Sequence, residues 1–147
     1  MKLEQQVCSP ELSKKLCFLG IQQSGSYFVW DISTKTGRKE LVPLFSHRGN
    51  FHLRSPRSAT VSYAAFTVAE LGQMLPRRLD HSNEHEKAAG IHPLHQLHRL
   101  VTEHQDTRFM IAYICADCRG KTASEFDNNE ADARAKMLIY LLENKLI

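Results

Sequence analysis

An α+β fold is what the sequence predicts: a small antiparallel sheet of three to four strands with an N-terminal and a C-terminal helix packed on it. Three observations carry that expectation. Arg108 to Cys115 reads RFMIAYIC, a run of β-branched and aromatic residues long enough for a buried strand. Glu130 to Lys145 repeats apolar residues at helical spacing. Ser9-Pro10-Glu11 punctuates the start of a second amphipathic helix.

In chain order, Ser9 stands where a cap belongs and Pro10 occupies the first helical position, where its missing N–H is harmless. Leu12, Leu16 and Leu19 line one face, and Gly20 supplies the left-handed stop. Residues 27–32 form a strand, Thr34 to Gly37 a turn, and 38–45 a return strand confined to an edge by Pro43. Ser46 to Thr60 has no period and reads as a loop. Thr67 and Glu70 make a capping box for a short helix through Leu75, closed by Pro76. Arg77 to Gly90 reads as polar and irregular, whereas Leu94, Leu97 and Val101 give Ile91 to Glu103 a helical stripe. Strands over 108–115 and 121–126 form a hairpin around Ala116 to Gly120, and Asp127 or Asn128 caps the last helix. In that helix Ala131, Ala135, Leu138 and Leu142 face the core. Asp132 and Lys136 make an i,i+4 pair on the opposite side.

The chain has 147 residues and reads as one domain over 1–147, of ordinary composition with 42% hydrophobic and 24% charged residues. No run approaches the roughly 20 apolar residues of a membrane span, and MKLEQQVCSPELSKK lacks the apolar stretch of a signal peptide. A cytoplasmic protein with four reduced cysteines and no membrane partner is the expectation. The net charge of +3 is unevenly spread: Ile32 to Arg78 carries eight Lys/Arg against two acids. Lys35, Arg38, Lys39, Arg48, Arg54 and Arg57, near Phe45 and Phe51, are therefore the candidate contacts for a nucleic acid.

Cys115 and Cys118 form a CxxC on a turn, the candidate metal pair for a zinc-supported binding domain; a second ligand pair at usual spacing is missing. His81, His85, His92, His95, His98 and His104 crowd one stretch without an HExxH pattern and read as a solvated face. No GxSxG, Walker loop or GxGxxG occurs. The reading is of a non-enzymatic protein without a cofactor, whose partner is another protein, with nucleic acid as the alternative.

The segments MKLEQQVCSPELSKKL (1–16), AAFTVAELGQMLP (64–76) and EADARAKMLIYLLENKLI (130–147) resemble a family of small uncharacterised proteins encoded by phages, prophages and other mobile elements. The similarity is most specific over Ala131 to Ile147. In its order of elements the chain also looks like the phage α-β-α sandwich group. The resemblance implies an accessory role and brings no catalytic residue, cofactor or substrate.

Overall fold

A computed structural model of the chain describes residues 2–44, 59–80, 97–105, 107–115 and 121–147. A single turn of 3-10 helix at Leu3–Gln5 leads to α1 (Pro10–Phe18). Then come β1 (Phe28–Ser33), β2 (Lys39–Pro43), β3 (Thr60–Ala64), α2 (Val68–Met74), β4 (Arg78–Asp80), β5 (Leu97–Gln105), β6 (Arg108–Cys115), β7 (Lys121–Asp127) and α3 (Glu130–Glu143). The fold is α+β, as expected.

The strands divide between two antiparallel sheets, ordered β2-β1-β3 and β4-β5-β6-β7. In the first, the turn at Gly37 takes the left-handed φ of +68° that reverses β1 into β2. Pro43, which has no N–H to give a neighbour, closes the edge strand. In the second, β6 and β7 form the expected hairpin pairing, with an irregularity between Tyr113 and Ile114.

The main core lies between the second sheet and the helices. Ile111 and Tyr113 of β6 and Ala123 of β7 meet Ala133, Met137, Leu138 and Leu141 of α3, with Leu16, Phe66, Leu71 and Leu75 closing the far side. Because α3 is covered by the sheet below and by α1 and α2 beside it, burial reaches well round its circumference: Ala131, Ala133, Ala135, Met137, Leu138, Ile139 and Leu141 are all buried. Alanines near its N-terminal end let neighbouring backbones approach. A smaller cluster of Val7, Trp30 and Ala65 sits under the first sheet.

Several expectations are corrected. Leu97 to Glu103 is strand, not helix: pairing with β6 from His98↔Cys115 to Gln105↔Arg108 outweighs the accidental i,i+4 match of Leu97 and Val101. The earlier part of that stretch, 91–96, lies outside the described residues. Arg78–Asp80 is strand rather than irregular because it adds to the edge of β5. Thr60, read as the end of a loop, begins β3, which hydrogen-bonds along β1. The cap of α3 is Asn129, whose side chain accepts from Ala131 N–H at 3.0 Å, one residue beyond the expected Asn128. Asp127 instead accepts from Asn129 N–H. Ser9 occupies the cap position of α1 without a side-chain cap bond. Lys136 pairs with Asp127 at 2.7 Å and not with Asp132, since Asp132 is engaged elsewhere. Helix α1 packs on α3 and on β3 of the three-stranded sheet.

The Thr67–Glu70 capping box forms as read, and Glu70 gains a further role because its second carboxylate oxygen accepts from Tyr27 N–H. Gly20 ends α1 at a φ of +87°.

Candidate functional site

Chemistry-bearing side chains gather where the extended segment Val7 to Ser9 crosses the molecule. Its side chains alternate as in a strand, so Val7 enters the small cluster and Cys8 the main core. The backbone is held on every side. Cys8 N–H donates to Phe66 O at 2.9 Å, and Cys8 O accepts from the Trp30 indole at 2.8 Å. Val7 O accepts from the Asn129 amide at 3.0 Å, and Ser9 N–H donates to Asp132 Oδ1 at 2.6 Å. Burial of such polar groups is tolerable only because each has a partner.

Cys8, Ser13 and Asp132 give this crossing the superficial look of a nucleophile site. Cys8 Sγ lies 3.2 Å from Ser13 Oγ, and both residues are fully buried. Burial pushes the Cys8 thiol up to about 11, and the charge of Asp132 adds to it, against smaller lowering by the bonds to Ser13 and Phe66. At pH 7 roughly one Cys8 in ten thousand is then a thiolate, the opposite of what a nucleophile needs. No histidine accompanies it among the described side chains of the cluster. Asp132 is itself held above its ordinary value by burial, with Asp127 adding to the shift. The crossing joins α1, β1 and α3 through its backbone hydrogen bonds.

The expected nucleic-acid contacts are only partly brought together. Lys35 and Arg38 are exposed at the tip of the β1–β2 hairpin. Lys39, at the start of β2, is drawn to Glu11 of α1 in an ion pair, which holds the Glu11 carboxyl below its usual range. Arg48, Arg54 and Arg57 lie outside the described residues, as do Phe45 and Phe51. Of the candidate metal pair, Cys115 ends β6 with its side chain outside the described part, and Cys118 lies outside altogether. Among the described residues no group of three His, Cys, Asp or Glu is placed to hold a metal. Of the histidines, His104 is exposed and stacks on its cross-strand neighbour Phe109 at 4.6 Å between ring centres. His81, His85, His92 and His95 lie outside the described residues.

Two residues that the sequence reading did not single out stand out in the structure. Phe18 is 75% exposed at the end of α1, and Tyr27 is 65% exposed immediately before β1. A signal for Phe18 was present: on a helical wheel it falls among Glu11, Lys14 and Lys15, away from Leu12, Leu16 and Leu19. The Lys14 ammonium sits over its ring, 5.7 Å from the centroid. Tyr27 gave no such signal, because the first residue of the strand expected over 27–32 belongs equally well to either face.

No protein-family profile, curated protein or solved structure matches the chain. No described helix is long and apolar enough to cross a membrane.

Proposed function

We propose that this chain is a non-enzymatic accessory protein of a phage or mobile element that acts by binding another protein. The observation that carries the binding role is the exposure of two aromatic side chains on well-anchored backbone. Phe18 ends a helix tied to α3 by the Lys15–Glu143 pair, and Tyr27 is tied through its N–H to Glu70. Aromatic groups presented on rigid elements cost little entropy on docking and are enriched among residues that dominate protein interfaces. The neutral, fully buried Cys8 supports the non-enzymatic part. The mobile-element origin is supported by the resemblance of the three sequence segments alone.

The test is site-specific photo-crosslinking in producing cells, with a photoreactive phenylalanine at position 18 or 27. A discrete protein adduct from either position is expected. Adducts no different from those at the exposed control position Gln73 would refute the reading.

A second reading, a nucleic-acid-binding module, is favoured by the joint exposure of Lys35 and Arg38 at one hairpin tip. It predicts oligonucleotide binding that weakens with salt and loses part of its salt dependence in the Lys35→Ala/Arg38→Ala double variant. Absence of binding at low salt removes it.

A further inference from the structure

We infer that the outer face of α1 around Lys14 and Phe18 receives an acidic peptide segment carrying an apolar anchor residue, an inference that rests on the protein-binding reading above. Glu11, Lys14, Lys15 and Phe18 share that face and are all exposed. Two of the charges are already matched, Glu11 by Lys39 and Lys15 by Glu143 at 2.8 Å. Among the described residues no carboxylate pairs with Lys14, and its ammonium is spent on the ring of Phe18. Among the described residues the face therefore offers a cation without a carboxylate partner beside an exposed aromatic ring, the two side chains forming an i,i+4 pair.

A partner that completes this face brings a carboxylate to Lys14 and an aliphatic or aromatic side chain to Phe18. Displacing water from the ring supplies the apolar contribution, and the carboxylate supplies orientation. A nucleic-acid strand fits less well. The face and its ion-pair partners hold three lysines and two glutamates, a net of +1, too little to follow a run of phosphates. A second copy docking by the same face across a two-fold axis sets Lys14 against Lys14, which repel.

The probe is a displayed library of random short peptides panned against the full chain at low and at physiological salt, with single-stranded DNA as competitor. Enriched peptides are expected to place Asp or Glu beside Phe, Leu or Trp. Their affinity should fall at least about tenfold in Phe18→Ser and, separately, in Lys14→Glu, since loss of a central anchor typically has that size. Both sites are exposed, so unchanged thermal melting will show that the variants remain folded.

Three results overturn the inference: enrichment no greater than for the Phe18→Ser/Lys14→Glu double variant, enriched peptides lacking acidic residues, or displacement of the peptide by DNA bound through these two side chains. If crosslinking at Tyr27 captures a partner while Phe18→Ser and Lys14→Glu bind it normally, the protein-binding reading stands and this face is not its seat. If neither experiment yields a partner, both fall.

Discussion

The backbone N–H of Ser9 donates to the Asp132 carboxylate at 2.6 Å, joining the start of α1 to the first turn of α3 across 123 residues of sequence. Asp132 thus does for α1 what the Ser9 side chain does not, holding the helix entry from another helix. It also stands near the N-terminus of α3, where negative charge is favoured.

Asp132→Ala is expected to destabilise the protein by about 1–3 kcal/mol, because it strands the Ser9 N–H. Asp132→Asn keeps an acceptor and should cost less than about 1 kcal/mol near neutral pH. The pH dependence separates the two roles. Burial raises the folded pKa of Asp132 above its ordinary 3.8, so its favourable contribution is fully present below that value and is lost as pH rises through the raised one. The asparagine variant should therefore gain on the wild type between acid and neutral pH. Denaturant melts across that range decide it, and a constant difference between the two proteins would count against the assignment.

Asp127 acts in the opposite direction. Burial pushes its pKa up, but the Lys136 ammonium and the N–H groups of Asn129 and Asn128 outweigh this and hold it below 3.8. Its stabilisation is present above the unfolded value and lost as pH falls through the depressed one. Lys136→Met should cost no more than about 1 kcal/mol at neutral pH, as befits a half-exposed pair, and that cost should shrink towards zero as pH falls through the depressed value. Denaturant melts of the two proteins at neutral and at acid pH test this, and a difference that grows in acid would count against it.

Leu138→Asp should abolish folding. Leu138 is 1% exposed in the main core, and the substitution removes a leucine worth about 2–5 kcal/mol and leaves a carboxylate in its place. Leu142, only half-buried one turn later, should tolerate the same change far better. Circular dichroism of the two variants provides the comparison.

Gly72 carries a quieter effect. A Cβ there would stand 3.0 Å from Arg134 Nη1, and Arg134 bonds Glu130 through both Nε at 3.0 Å and Nη2 at 2.7 Å. Alanine normally stabilises a helix interior over glycine by about 1 kcal/mol. Gly72→Ala should gain less than that in the wild type and recover the full gain when Arg134→Ala is made as well. A double-mutant cycle by chemical denaturation measures the difference.

What the sequence made legible followed from local chemistry. The Thr67–Glu70 box, the Gly20 stop, the turn at Gly37 and the RFMIAYIC strand depend on neighbours a few residues away, and each formed where expected. What escaped it was decided at long range. Leu97 to Gln105 is a strand because β6 pairs with it, and the division into two sheets reflects which strands β1 and β6 take as neighbours. The candidate site fared similarly. Lys39 looked available to phosphate until folding placed Glu11 beside it, and Cys8 looked like an ordinary thiol until Phe66, Trp30 and Asp132 closed round it. Residues 2–18, 64–76 and 130–147 are contiguous in space, since they supply α1, α2, α3 and the crossing that binds them.

The Val7–Ser9 crossing also sets an order of events in folding. Two of its bonds, from Asn129 and to Asp132, span more than 120 residues, so neither forms before the start of α3 meets the N-terminal segment. Until α3 docks, Val7 O and Ser9 N–H remain in water and Cys8 keeps the reactivity of a free thiol. Cys8 is thus a built-in reporter of the final docking step. In a pulsed-alkylation refolding experiment its protection should appear last, with the loss of ordinary thiol reactivity marking arrival of α3, while half-exposed Cys17 stays reactive. Protection of Cys8 before α3 acquires its hydrogen-exchange protection would contradict that order.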